Sequence, residues 1–312
     1  MDIIKPKALR RGDVIGICSP ASAPSSEDSL SRGIAYLERL GYRVELGKNV
    51  FRKRGYLAGS DSQRAADVND LFANRSVKAI IAARGGYGSH RILPLLKYRT
   101  IRQNPKILVG YSDITALQLA LMAKAGLVSF TGPMVASDLS PGLSGTAEEW
   151  FWRCLTSTHR LPGLVVGKKK ARQWGKGASS SGYVVGGNLS VVASSVGTPY
   201  FPDLSAPVLL LEEIDERPYR IDRMLRQIKL AGILERSKGV ILGEFVNCRP
   251  ERGKPSLTLQ QVFADTFSEA ARPVLEGLHY GHVDNLLTIP LGVRVSLDAA
   301  AGRIRFGEAA LS

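Results

Sequence analysis

The chain has 312 residues, with 42 lysines and arginines against 28 aspartates and glutamates, so its formal net charge is +14. This length allows about two domains, each with a hydrophobic core of its own. An apolar fraction of 44% beside a charged fraction of 22% is that of an ordinary globular protein. It excludes a collagen-like chain, a disulfide-stabilised miniprotein and a mostly disordered chain.

The first half of the chain predicts strands that alternate with helices. Strands are expected at residues 13–19, 43–46, 77–83 and 106–109. Helices are expected at residues 26–40 and 60–72, after a glycine-rich turn at 84–88, and after a turn at 110–113. Because such alternation is typical of parallel sheets covered by helices, we expect an α/β fold with a doubly wound parallel sheet.

The composition changes in the second half. Residues 161–182 are rich in glycine, lysine and serine, and we interpret them as a linker. The segments that follow predict one amphipathic helix, at 220–232, and strands at 183–187, 208–211, 239–245, 294–297 and 303–306. We therefore expect an N-terminal domain over residues 1–160 and a smaller, strand-rich α+β domain over residues 183–312.

The charge of +14 raises the alternative of a nucleic-acid binder. Most of the cations are scattered singly, however, and the one dense run, Lys168-Lys169-Lys170-Ala171-Arg172, leads into a Gly/Ser-rich stretch that is typical of a solvated loop. No zinc-finger or aromatic RNA-binding module accompanies this run, and we expect no nucleic-acid partner.

Cellular location is predicted from cysteine usage and from the distribution of apolar residues. Cys18, Cys154 and Cys248 are far apart and form no CxxC pair, which favours a reducing compartment and no metal site. No apolar run approaches the length of about 20 residues that a membrane helix needs, and residues 1–12 lack the apolar stretch of a secretory signal. We expect a cytoplasmic protein without a membrane partner.

The strongest chemical signal is Ser112, which stands in a sharp turn between a predicted strand and a predicted helix. This is the context of a nucleophile elbow, although Ile114 occupies the place of the second glycine in G-x-S-x-G. A helix N-cap is the structural alternative for Ser112. Both interpretations remain open on this segment alone.

A serine nucleophile needs a base and an acid that orients it. The chain has four histidines, His90, His159, His279 and His282, and the last two lie in a glycine-containing loop that suits a positioned catalytic group or an ordinary turn. Glu212 and Glu213 end an apolar strand, where carboxylates point into a crevice or pair with nearby arginines.

The glycine-rich turn at residues 84–88 is a second candidate. It does not match the phosphate-binding motifs GxxxxGK[ST] or GxGxxG. The backbone N–H of Gly86 is a possible oxyanion donor, whereas a tight turn that only requires glycine is the structural alternative.

Further motifs accompany these segments in a fixed order along nearly the whole chain. They are Gly12-Asp13-Val14-Ile15-Gly16, Ser19-Pro20-Ala21-Ser22, Leu57-Ala58-Gly59-Ser60-Asp61 with Arg64, Thr131-Gly132-Pro133-Met134, Gly186-Gly187-Asn188-Leu189, Tyr219-Arg220-Ile221-Asp222-Arg223 and Gly281-His282-Val283-Asp284-Asn285. The set resembles the LD-carboxypeptidase family, also called muramoyltetrapeptide carboxypeptidases.

The resemblance implies a fold, a site and a reaction. It implies a flavodoxin-like N-terminal domain, a smaller β-rich C-terminal domain, an active site between them and a homodimer. The reaction is hydrolysis of the L,D-amide that releases terminal D-Ala from the murein tetrapeptide, in cell-wall recycling, without a metal or an organic cofactor. By motif, the catalytic residues are Ser112 as nucleophile, His282 as base and Glu212 as its partner, with Glu213 as the adjacent alternative.

The resemblance also implies an oxyanion hole made by the backbone N–H groups of Gly86 and Asp113. Because the substrate carries carboxylates, we add the hypothesis that Arg84, beside this turn, contacts one of them. A packing role for Arg84 is the alternative.

Two further classes of function remain open. The microcin C immunity branch of the same superfamily cleaves acyl-amide bonds in peptidyl-nucleotide toxins, although the segment 211–225 looks more like the murein-recycling branch. A non-catalytic protein that binds a small ligand between two α/β domains is the alternative of another class.

Overall fold

A computed structural model describes residues 2–167 and 171–312. The chain forms two compact units: the first comprises Met1–His159, Asp284–Gly292 and Ala309–Ser312, and the second comprises Arg160–Val283 and Val293–Glu308. Three lysines of the predicted basic run, Lys168, Lys169 and Lys170, lie outside the described residues.

The first unit contains a six-stranded sheet in the order β12-β5-β4-β3-β1-β2. Its strands are β1 (Val14–Cys18), β2 (Arg43–Leu46), β3 (Val77–Ala82), β4 (Ile107–Val109), β5 (Ser129–Thr131) and β12 (Ile289–Leu291). All neighbouring pairs are parallel except β12 and β5. The parallel order β2-β1-β3-β4-β5 is the flavodoxin-like one, so the predicted doubly wound sheet is confirmed.

The helices of the first unit follow the predicted alternation. They are α1 (Glu27–Arg39), α2 (Asp61–Ala73), α3 (Ser89–Ile92), α4 (Tyr98–Gln103), α5 (Thr115–Ala125) and α6 (Gly145–Thr156). Local capping explains where the two 13-residue helices begin: Ser26 accepts the Ser29 N–H before α1, and Ser60 and Gln63 form a reciprocal capping box before α2. A 3₁₀ turn, Ser112–Ile114, leads into α5.

The second unit contains an eight-stranded mixed sheet in the order β6-β14-β13-β8-β9-β10-β11-β7. Its strands are β6 (Leu164–Val165), β7 (Arg172–Trp174), β8 (Ser179–Asn188), β9 (Pro207–Ile214), β10 (Gly239–Val246), β11 (Val274–Glu276), β13 (Arg294–Asp298) and β14 (Arg303–Phe306). Strands β8 to β11 are parallel, and the outer strands are antiparallel. Its helices are α7 (Leu189–Ser195), α8 (Pro218–Leu230), α9 (Ile233–Arg236) and α10 (Leu259–Phe267).

The segment predicted as a linker, residues 161–182, contains two short strands and the start of a third. Strands β6 and β7 pair with β14 and β11, and β8 begins at Ser179. The glycine at position 182 explains part of the difference, because a Cβ there would lie 2.2 Å from the Ala206 carbonyl oxygen. Gly182 permits a close approach of neighbouring backbone, whereas the composition of residues 161–182 alone suggested a flexible linker.

Two C-terminal segments belong to the first unit. Strand β12 pairs with β5, and the backbone of Ser312 is hydrogen bonded to Pro6 and Ala8. The neighbouring Leu311 is 2% exposed. No local feature of the sequence predicts this return, because a three-residue apolar run does not indicate which sheet it joins.

Among the described helices, none is both long and apolar enough to cross a membrane. The helices α1, α2 and α8 each have 13 residues, whereas a bilayer requires about 20.

Candidate active site

The first unit gathers several loops at one edge of its sheet. Strands β1, β3 and β4 are parallel neighbours, so the loops that follow them leave from the same edge. The order in which strands are added to the sheet reverses between β1 and β3. In open α/β sheets, ligands bind at such a point, outside the carboxyl ends of the strands. Arg84, Gly86 and Ser112 all lie in the loops after β3 and β4.

Ser112 has an unusual backbone conformation. Its φ is +61°, in the left-handed region that residues other than glycine seldom adopt. An N-cap residue is extended, so Ser112 does not have the conformation of the structural alternative. A non-glycine residue held in this region costs about 1–3 kcal/mol, and such strain clusters at functional sites. The sharp turn matches the strand-to-helix context of a nucleophile elbow.

The glycine-rich turn after β3 lies against Ser112. A Cβ added to Gly85 would lie 2.9 Å from Ser112 Cβ and 3.1 Å from Ser112 Oγ, so the close approach requires glycine. The next residue, Gly86, has φ +111° and is exposed. In the part of the chain that the structure describes, neither the Gly86 N–H nor the Asp113 N–H donates a hydrogen bond to the protein. Both are thus able to act as donors to a ligand.

The side chain of Asp113 joins the two turns. Its Oδ2 accepts the backbone N–H of Ser89, the first residue of α3, at 2.8 Å, and Asp113 is buried. The carboxylate therefore fixes the turn that contains Gly86 to the turn that contains Ser112, a role for the side chain that the sequence did not reveal.

Arg84 is half-buried at the start of the same turn. Its Nη1 lies 3.5 Å from the Ala23 carbonyl oxygen, in the loop after β1. This contact is compatible with both the packing role and the carboxylate contact, so the substrate role of Arg84 remains a hypothesis.

The second unit brings Glu212 and His282 together. Glu212 lies near the end of β9 and is fully buried, and its Oε2 is 2.8 Å from His282 Nδ1. The His282 side chain is 17% exposed, in the loop after β11. Among the described residues, the Glu212 Oε1 atom is buried without a hydrogen-bond partner. A carboxylate that accepts from Nδ1–H holds the ring in the tautomer whose Nε2 is basic.

Glu213 has different partners, because consecutive side chains of a strand point to opposite faces. Its carboxylate accepts hydrogen bonds from Asn188 Nδ2 at 2.9 Å and from the Ser190 N–H and Oγ at 2.8 and 2.7 Å. It also accepts the Ile214 N–H at 2.9 Å. Burial raises the pKa of Glu213, and these hydrogen bonds oppose that shift.

A bulge in β10 lets the histidine loop approach the sheet. The register of β9 and β10 shifts between Leu242 and Phe245, and the Glu244 N–H donates to the Tyr280 carbonyl at 2.9 Å. A Cβ on Gly243 would lie 2.5 Å from that same carbonyl oxygen. The absence of a side chain at position 243 is thus required for the loop that carries His282.

The other three histidines have other surroundings. Burial lowers the pKa of His90, in α3, while the nearby Asp113 carboxylate opposes the shift. His159 is exposed after α6, and His279 is half-buried three residues before His282. Of the four histidines, only His282 has a hydrogen bond to Glu212 among those described.

Models of two protein domains match this chain. The LD-carboxypeptidase N-terminal domain matches residues 15–132, and the LD-carboxypeptidase C-terminal domain matches residues 181–297. The chain belongs to the LD-carboxypeptidase family. The "Probable murein peptide carboxypeptidase" of Bacillus subtilis is 39% identical over 305 residues, which cover 95% of this chain and 92% of the relative.

Solved structures resemble this chain over almost its whole length. The crystal structure of muramoyltetrapeptide carboxypeptidase from Oxalobacter formigenes has a TM-score of 0.83 and 33% identity, covering 94% of this chain and 97% of that one. The microcin C7 self-immunity protein MccF of Escherichia coli is 30% identical, covering 97% of this chain and 96% of the relative. MccF in complex with aspartyl sulfamoyl adenosine has a TM-score of 0.85 and 28% identity, covering 99% and 100% of the two chains.

Proposed function

We propose that this protein is a serine-type LD-carboxypeptidase that releases terminal D-Ala from the murein tetrapeptide. The observation that carries most weight is the combination of a serine at φ +61° with a buried carboxylate 2.8 Å from a histidine Nδ1, in a member of this family. Relatives named for murein peptides or the muramoyltetrapeptide support this substrate.

In the proposed reaction, Ser112 Oγ attacks the carbonyl carbon of the L,D-amide and its proton passes to His282 Nε2. Glu212 holds the ring and stabilises the imidazolium that forms. The same proton then passes to the nitrogen of the departing D-Ala, which leaves as the amine while Ser112 keeps the acyl group. Water, deprotonated by His282, hydrolyses this ester and restores the serine.

The negative charge on the carbonyl oxygen would be stabilised by the N–H groups of Gly86 and Asp113. Loss of one such donor in a serine hydrolase costs about 3–4 kcal/mol of transition-state stabilisation. We further propose that Arg84 contacts a substrate carboxylate. In that case Arg84→Ala raises KM more than it lowers kcat.

We propose in addition that the protein is cytoplasmic and forms a homodimer, as the family resemblance implies, with separate domains for the nucleophile and for the His–Glu pair. Cleavage of an amide inside a cell-wall peptide fragment fits recycling of that peptide. The net charge of +14 suits anionic peptide ligands, and we propose no nucleic-acid partner.

Similarity to MccF supports a second candidate, hydrolysis of the acyl-amide of a peptidyl nucleotide. The two are separated by kcat/KM for the tetrapeptide and for aspartyl sulfamoyl adenosine, measured with one enzyme preparation. We expect the tetrapeptide value to be at least about 100-fold higher, a difference of roughly 3 kcal/mol in transition-state binding. A preference of that size for the nucleotide would assign the protein to the immunity function instead.

A further inference from the structure

The predicted oxyanion donor of the first unit lies in a turn that is rich in glycine. Gly86 lacks a side chain, has φ +111° and is exposed, and glycine has the widest backbone freedom of all residues. A donor contributes to catalysis only if it is held in place before the reaction. Some other group must therefore fix the direction of the Gly86 N–H.

The loop after β1 supplies that group in Ser22. The Ser22 N–H donates to the Gly85 carbonyl oxygen at 3.3 Å. That carbonyl and the Gly86 N–H belong to one peptide unit, which is planar and trans, so the two groups point in opposite directions. Holding the Gly85 carbonyl towards Ser22 turns the Gly86 N–H to the other side of the turn.

The hydroxyl of Ser22 fixes the following peptide. It donates to the Tyr56 carbonyl oxygen at 2.6 Å, which leaves its lone pairs to accept the Tyr87 N–H at 3.2 Å. A Cβ on Gly86 would lie 2.3 Å from Ser22 Oγ, so the hydroxyl lies directly against the Gly86 backbone. One residue thus holds the peptides on both sides of Gly86.

A buried arginine ties the same two segments together at a second point. Arg64 Nη1 donates to the carbonyl oxygens of Pro20 and of Gly88, the latter at 2.9 Å, and Nη2 donates to Asp61 Oδ1 at 2.5 Å. The Arg64 side chain is fully buried. Pro20 lies two residues before Ser22, and Gly88 lies two residues after Gly86. The Arg64 contacts therefore limit how far the loop after β1 can separate from the glycine-rich turn.

We infer that Ser22 is a positioning residue that sets the direction of the oxyanion donor Gly86. The inference rests on the proposed function, which assigns the Gly86 N–H to the oxyanion hole. Ser22 itself touches no reacting atom, and it acts through the two peptide units that it holds.

The test compares Ser22→Ala with Ser22→Thr, which keeps the hydroxyl, and with Ser25→Ala as a matched control. Ser25 lies in the same loop as Ser22, and its hydroxyl is 3.4 Å from the hydroxyl of Ser29 in α1. We expect Ser22→Ala to lower kcat by about 10- to 100-fold with KM within about threefold, as for a weakened oxyanion donor. Ser22→Thr should recover most of the loss, and Ser25→Ala should match the wild type.

Ligand affinities separate positioning from a general loss of structure. Affinity for a peptide boronic acid, which forms a tetrahedral adduct on Ser112, should fall with kcat/KM in Ser22→Ala. Affinity for the intact tetrapeptide, measured in a Ser112→Ala background, should stay constant. The inference is wrong if kcat is unchanged, or if tetrapeptide affinity and Tm fall together with kcat.

A fluorophosphonate that labels Ser112 keeps this test independent of the substrate. If the wild type does not cleave the tetrapeptide, the proposed function fails, but the labelling rate still depends on the donor that faces the phosphonyl oxygen. Labelling that is at least about 10-fold slower in Ser22→Ala supports the role of Ser22. Equal labelling rates in the two proteins overturn it.

Discussion

Backbone strain at Ser112 is the residue-scale feature with the most direct consequence for stability. A side chain at φ +61° carries a steric cost that glycine avoids, about 1 kcal/mol for the move from alanine to glycine. We therefore expect Ser112→Gly to be about 1 kcal/mol more stable than Ser112→Ala in urea unfolding, while both variants lose turnover.

The matched control for this prediction is Ser268, at the end of α10, where φ is −58°. At this position the order should reverse, with Ser268→Ala more stable than Ser268→Gly, because glycine is the poorer helix former. If alanine is more stable than glycine at position 112 as well, Ser112 is not strained.

The neighbouring glutamates permit a second residue-scale prediction. Glu212→Gln removes the carboxylate that contacts His282 Nδ1, and we expect kcat to fall by about 10²- to 10⁴-fold, as when a triad acid is replaced by its amide. Glu213→Gln should keep kcat within about threefold, because Glu213 contacts Asn188 and Ser190 instead.

For the free energy of unfolding we expect the opposite order: Glu213→Gln should be destabilised more than Glu212→Gln. Gln has one acceptor oxygen where the Glu213 carboxylate uses two, so a buried donor loses its partner at a cost of about 1–3 kcal/mol. Measurement of kcat and of the unfolding free energy for both variants checks the assignment. If Glu212→Gln is active and Glu213→Gln is inactive but stable, Glu213 is the acid that supports the histidine and Glu212 is not.

At the scale of elements, Lys106 joins the end of α2 to the start of β3. Its Nζ donates to the carbonyl oxygens of Asn74 and Val77 at 2.7 and 2.6 Å, and the residue is 5% exposed. Burial lowers the pKa of Lys106 from 10.5 to about 8, and repulsion from Lys78 acts in the same direction.

This shift predicts a pH dependence of folding. Between pH 8 and 10.5 the folded chain binds fewer protons at Lys106 than the unfolded chain, so stability rises with pH in this window. The cost of the buried charge is fully present below the folded pKa and disappears above the unfolded one. Relative to Lys106→Met, the wild type should gain stability between about pH 7.5 and about pH 9.5.

Urea unfolding at the two pH values measures this gain, and Lys7→Met is the control because Lys7 is exposed. The difference between wild type and Lys7→Met should not change with pH. A pH-independent difference for Lys106→Met would show that the Lys106 ammonium is not destabilised by burial.

The elements differ in how much of them the sequence predicts. Strands β1 to β4 and helices α1 and α2 were predictable because buried runs and capping residues such as Ser26 and Ser60 are local signals. The role of Ser22 was not, because its partners Tyr56 and Tyr87 are 34 and 65 residues away. The strand-to-helix turn at Ser112 was predictable from its immediate neighbours, whereas the contact between Glu212 and His282 joins residues that are 70 positions apart.

At the scale of the whole molecule, the segment Ala309–Ser312 belongs to the first unit. Leu311 is 2% exposed, and the adjacent Ser312 backbone is hydrogen bonded to Pro6 and Ala8. We expect Leu311→Ala to lower the unfolding free energy by about 2–5 kcal/mol, as for other buried leucines.

Leu230, at the end of α8, is the control because it is 88% exposed, and Leu230→Ala should change stability by less than about 0.5 kcal/mol. Similar small effects at the two positions would mean that the C-terminal segment is not docked on the first unit.

The proposed reaction is tested most directly by mass spectrometry of L-Ala-γ-D-Glu-meso-diaminopimelyl-D-Ala after incubation with the wild type and with Ser112→Ala. The same peptide ending in L-Ala serves as the stereochemical control. We predict that the wild type removes one alanine from the D-Ala peptide only, and that Ser112→Ala, folded to the same extent, removes none. An intact D-Ala peptide after incubation with folded wild type, or equal cleavage by Ser112→Ala, would contradict a serine-dependent LD-carboxypeptidase.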